Sequence, residues 1–112
     1  MVATIFCIPT TSALAEAKRQ LLALRPYEFV TATDFTQIEA ACVNIRFDLA
    51  LIGENFEPPI KMAISSLLRE HCPQVPILEV YKDKPVMEGS EYVQAGSPDE
   101  IVKAVQRILI GK

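Results

Sequence analysis

Hydrophobic and polar positions along the chain change period in a regular order. Val2-Ala3-Thr4-Ile5-Phe6-Cys7-Ile8 is an unbroken apolar, β-branched run closed by Pro9, the pattern of a strand covered on both faces. Leu14, Ala17, Leu21 and Leu24 then recur at helical spacing until Arg25-Pro26 ends the helix. Tyr27 to Thr31 predicts a short second strand. Asp34 and Gln37 form a capping box before a second helix with the apolar stripe Phe35, Ile38, Cys42 and Ile45.

The alternation continues. Asp48 to Gly53 predicts a third strand, and Pro58-Pro59 opens a third helix that turns Ile60, Ala63 or Ile64, Leu67 and Leu68 inward before Pro73 closes it. Val75 to Tyr81 predicts strand four and Tyr92-Val93-Gln94 strand five. Ser97-Pro98-Asp99-Glu100 combines an N-cap serine, a proline at the first helical position and a capping-box glutamate. Ile101, Val105, Ile108 and Leu109 give the last helix its stripe. Strands alternating with helices imply an α/β, doubly wound, five-stranded parallel sheet of the flavodoxin-like kind, with strand order 2-1-3-4-5.

The link between strands four and five breaks the pattern. Residues 82–91, ten in all, separate Tyr81 from Tyr92, and they include Pro85 and Gly89. A parallel crossover with a helix needs a dozen residues or more, so the fourth helix is expected to be shortened or absent. Glu79 lies mid-strand in register with Ile77 and Tyr81. A buried, unpaired carboxylate is costly, which leaves Glu79 either exposed by the missing helix or paired with a lysine under the loop, such as Lys82 or Lys84.

Composition narrows the function classes. The 112 residues fit one domain over 1–112, large enough for a core without staples. Eleven Lys and Arg against fourteen Asp and Glu give a net charge of −3, with no basic run beyond Lys18-Arg19, which argues against nucleic acid. Cys7, Cys42 and Cys72 lack CxxC spacing and predict reduced, buried thiols. No apolar run approaches the ~20 residues of a membrane span, and the first residues lack the features of a signal peptide, so a soluble cytoplasmic protein is expected.

Phe47-Asp48-Leu49-Ala50-Leu51-Ile52-Gly53 resembles the third strand of response-regulator receiver domains, and Val75-Pro76-Ile77-Leu78 resembles their fourth. Tyr92 and the Ser97-Pro98-Asp99-Glu100 helix start are similar to the end of that family, and the resemblance covers nearly the whole chain. It implies a phospho-acceptor aspartate where this chain has Gly53, with Glu54 adjacent. It implies an acidic Mg²⁺-binding pair where Ile8 and Pro9 stand, a hydroxyl residue at Tyr81, and a lysine at Gln94 or Ala95. A glycine has no carboxylate to act as nucleophile, and a hard cation wants carboxylate oxygens. The resemblance therefore implies a degenerate receiver with no enzymatic activity, no cofactor and no metal. Its expected role is phosphorylation-independent docking to a signalling or transcriptional regulatory protein, with homodimerisation open. Glu79, Tyr81 and Tyr92 form the expected partner surface, the tyrosines as aromatic anchors or as ordinary strand-end packing.

Two other chemistries have local support. Cys7-Ile8-Pro9-Thr10-Thr11-Ser12 stands between a strand and a helix, where anions bind, and weakly resembles the loops of flavodoxins and of phosphocysteine carriers. The alternative function is thus a small-molecule or anion-binding domain for phosphate or a flavin at Pro9–Ser12; otherwise Thr10, Thr11 or Ser12 simply caps the first helix. His71 is the single histidine, so no two-histidine metal site can form within one chain.

Overall fold

The computed structural model describes residues 2–8 and 12–110. Its elements are β1 (Thr4–Ile8), α1 (Ser12–Leu24), β2 (Glu28–Thr31), α2 (Phe35–Asn44), β3 (Leu49–Ile52), α3 (Pro58–His71), β4 (Ile77–Tyr81), β5 (Glu91–Gln94) and α4 (Pro98–Ile108). All strand pairs are parallel, in the order β2-β1-β3-β4-β5. This is the expected flavodoxin-like topology, and no helix intervenes between β4 and β5.

The period-two alternation of each strand divides the core into two layers. Ile5, Cys7, Leu49, Leu51, Leu78 and Val80 point to the side covered by α1 and α4. Phe6, Ile8, Ala50, Ile52 and Ile77 point to the side covered by α2 and α3. Phe6 and Phe47 stack there with ring centroids 4.3 Å apart. Asp48, just before β3, fixes the start of the sheet by accepting the Thr4 N–H at 2.8 Å through Oδ2.

Helix ends follow the sequence signals unevenly. Asp34 caps α2 by accepting the Gln37 N–H at 2.8 Å, while Gln37 Oε1 accepts the Thr33 N–H, one residue upstream of the usual capping-box partner. Ser97 occupies the N-cap of α4, but its side chain makes no capping hydrogen bond; its carbonyl instead accepts the Glu100 N–H. The expected caps Thr10 and Thr11, with Pro9 and the side chain of Ser12, lie outside the described residues.

Two expectations are corrected. On α3 the inward stripe is Lys61, Ile64 and Leu68, whereas Ile60 and Ala63 face outward and Leu67 is half-buried. The helix is rotated so that a lysine, and not Ile60, meets the sheet. Cys42 and Cys72 are not separate thiols: they form a disulfide with a Cα–Cα distance of 5.8 Å, which leaves Cys7 as the free cysteine. Among the described residues, no helix is long and apolar enough to cross a membrane.

Candidate functional site

Ile8, Gly53, Tyr81 and Ala95 gather at the carboxyl ends of β1, β3, β4 and β5, where ligands bind in open α/β sheets. The backbone there is closely laced. Gly53 N–H donates to the Ile8 carbonyl at 2.8 Å, and Ala95 N–H donates to the Tyr81 carbonyl at 2.7 Å. Ile8 and Gly53 are buried, while Tyr81 and Ala95 are half-buried. The four side chains comprise an alkyl group, a hydrogen, a phenol and a methyl. Beside them a shallow groove of about 530 Å³ runs between Ala13, Glu54, Lys82, Gly96 and Pro98.

The principal buried polar cluster lies one layer away, on the α3 side of β4. Glu79 is 0% exposed and Lys61 3%. Lys61 Nζ donates to Glu79 Oε2 and to the Val80 carbonyl, each at 2.8 Å. Glu79 Oε1 also accepts the Val86 N–H at 2.9 Å and the Met87 N–H at 2.8 Å. Every oxygen and ammonium proton so engaged offsets part of the cost of removing the charges from water. The expectation that the missing helix exposes Glu79 is thus overturned, because residues 82–90 fold back over β4 and donate their own amides to the carboxylate. Its lysine partner comes from α3 rather than from Lys82 or Lys84, both of which are exposed.

Further contacts hold the same loop. The Tyr92 hydroxyl donates to the Met87 carbonyl, and Arg69 Nη2 on α3 donates to the Glu88 carbonyl at 2.7 Å. Gly89 turns the chain at φ +75°, and a Cβ there would stand 3.3 Å from Arg69 Nη2. Gly89→Ala is therefore expected to lower unfolding free energy by about 1–2 kcal/mol, measured by urea titration. Of the three residues expected on a partner surface, Glu79 is withdrawn from solvent, Tyr81 is half-buried, and Tyr92 is 40% exposed with its hydroxyl engaged.

Comparison with solved structures bears on this arrangement. The chemotaxis protein CheY4 of Vibrio cholerae superposes with a TM-score of 0.76 at 18% identity, covering 97% of this chain and 100% of that one. A response regulator from Desulfuromonas acetoxidans gives 0.74 at 13% identity, covering 96% and 97%. The receiver domain of a sensor histidine kinase from Pseudomonas aeruginosa, with a magnesium ion coordinated in its active-site cleft, gives 0.70 at 16% identity over the full length of both chains. The fold is that of a receiver domain. No family model and no curated protein matches the sequence. Within the receiver fold, Lys61 and Arg69 are the residues that sequence reasoning missed. A fully buried strand carrying Glu79 called for a cation, and the spacing of Lys61, Ile64 and Leu68 placed one on the facing helix.

Proposed function

We propose that this receiver-fold chain is a phosphorylation-independent interaction module in signal transduction or transcriptional regulation, without enzymatic activity of its own. The observation that carries this reading is the set of side chains at the carboxyl ends of the sheet. Neither Ile8 nor Gly53 offers a carboxylate for a metal or a phosphoryl group, and Ala95 offers no ammonium. A receiver fold can still present a surface for docking. Here the link from β4 to β5 is a loop tied to Glu79, Tyr92 and Arg69, so the surface beside β5 has a fixed shape. The Tyr92 ring, at the solvent edge of that surface, supplies an aromatic contact for a regulatory protein or a second copy of the chain.

The test is affinity capture of the tagged chain from its own cells, with and without acetyl phosphate and Mg²⁺, alongside intact-mass measurement. The same stoichiometric partner is expected in both conditions, with unchanged mass and with loss of capture by Tyr92→Ala. A phosphorylated acidic residue, Glu54 included, would overturn the reading.

A second reading is favoured by the groove between Glu54, Lys82 and Gly96, which lies in the crevice that ligands occupy in doubly wound sheets. It makes the chain a small-molecule or anion-binding domain. Saturable amide shifts at Gly53–Asn55 on addition of phosphate, nucleotide or flavin would favour it over docking.

A further inference from the structure

The bond between Cys42 and Cys72 joins the carboxyl-terminal ends of α2 and α3 at the amino ends of the strands, opposite the carboxyl-end positions described above. Both cysteines are half-buried, and both line an open groove of about 600 Å³ whose other walls include Arg46, Asp48, His71 and Pro73. The groove brings solvent up to both residues of the pair. Cys7 is placed differently. It is 1% exposed, and it faces the α1 and α4 side of the sheet while the disulfide lies on the other. The sheet itself separates the third sulfur from the bond.

The bond also sits at the end of a helix with other ties. Cys72 follows α3 directly, and α3 carries Arg69 and Lys61, which hold the loop over β4 through Glu88 and Glu79. The bond ties the end of α3 to α2, beside the packing of Leu68 and the backbone bonds from Cys72 N–H to the Leu68 carbonyl and from Val75 N–H to the Cys72 carbonyl.

We propose that Cys42–Cys72 is a thiol–disulfide exchange site whose substrate class is a dithiol, small or protein-borne, and whose state is passed through α3 to the loop at Glu88–Ser90. One thiolate of the dithiol attacks a sulfur of the pair, the Cys42–Cys72 bond breaks, and a mixed disulfide forms. The second thiol of the reagent then displaces the remaining protein sulfur. The reagent leaves as a disulfide, having given up two electrons and two protons, and Cys42 and Cys72 are left as thiols. A disulfide oxidant reverses each step.

The experiment uses the intact folded chain. It is treated with dithiothreitol at mild alkaline pH, alkylated with iodoacetamide without denaturant, and read by mass and by amide spectra. The untreated protein is expected to take up no alkyl group and the reduced protein two, at Cys42 and Cys72. Cys7 serves as the internal control, because burial pushes its thiol up to about 11 from an ordinary 9.0, which alone cuts its thiolate about a hundredfold at working pH. Amide shifts on reduction are expected near both cysteines and at Glu88–Ser90, reversing with oxidised glutathione, and Cys72→Ser should reproduce the reduced spectrum. Alkylation of untreated protein at either cysteine would overturn the site. So would a bond that yields to dithiothreitol only in denaturant. Shifts confined to the neighbours of the two cysteines would overturn the transmission through α3. These outcomes are read on the wild-type chain, so they stand even where the serine variant fails to fold.

Discussion

Lys61→Met is expected to lower the unfolding free energy by about 3–5 kcal/mol, and the melting temperature by more than about 10 °C. Methionine keeps the length and apolar packing of the lysine stem, so the loss isolates the ammonium. What remains is a Glu79 carboxylate out of contact with water, supported by two backbone amides where it had three donors. Two further variants separate charge from packing. Lys61→Met with Glu79→Gln removes both charges while leaving an amide oxygen to accept a loop N–H, and is expected to recover part of the loss. Glu79→Leu alone leaves an ammonium buried and the Val86 and Met87 amides without their acceptor, at about 1–3 kcal/mol for each orphaned group. If the Lys61→Met, Glu79→Gln pair is no more stable than Lys61→Met, the cost lies in packing and the electrostatic account fails.

Phe6→Ala is expected to cost about 3–5 kcal/mol by the same denaturant measurement, for a different reason. Phe6 is fully buried in the interior strand β1 and stacks on Phe47, the ring planes 13° from parallel. Truncation removes that stack and opens a cavity between β1 and the α2–α3 layer, where neighbours fixed on two helices and the sheet can collapse only partly. Phe6→Leu, which leaves a smaller void, should lose distinctly less. Equal losses for the two variants would show that the ring stack, rather than the cavity, sets the cost.

The sheet was legible because each strand carries its own information. Continuous apolar runs such as Ile5–Ile8 and Leu49–Ile52 announce strands covered on both sides, and helical stripes between them announce crossovers. Strand order followed from the alternation of strands and helices, which points to a flavodoxin-like sheet, and the missing fourth helix from the ten-residue link between Tyr81 and Tyr92. The orientation of α3 was harder to read, because Ile60 and Lys61 are neighbours and either could start an inward stripe. Hydrophobicity favours Ile60, and only the need of Glu79 for a cation turns the helix the other way. The disulfide was hidden for a related reason. Cys42 and Cys72 are 30 residues apart, outside any short motif. Both nevertheless end helices on the same face of the sheet, so the topology juxtaposes what the sequence separates. At the carboxyl ends the positions of Ile8, Gly53, Tyr81 and Gln94 or Ala95 came from the resemblance to receiver domains, and the parallel register is what brings them to one edge.

The buried ion pair has a consequence for how such a chain can change over generations. A domain of this size keeps about 5–15 kcal/mol of stability, and loss of either Lys61 or Glu79 alone removes a large share of it. A lineage that alters one position first must pass through a weakened intermediate, whereas exchanging both for neutral partners avoids the stranded charge. The two sites are therefore expected to be inherited as a unit. Asp83, Lys84 and Pro85, whose side chains are exposed, carry no such constraint from the pair.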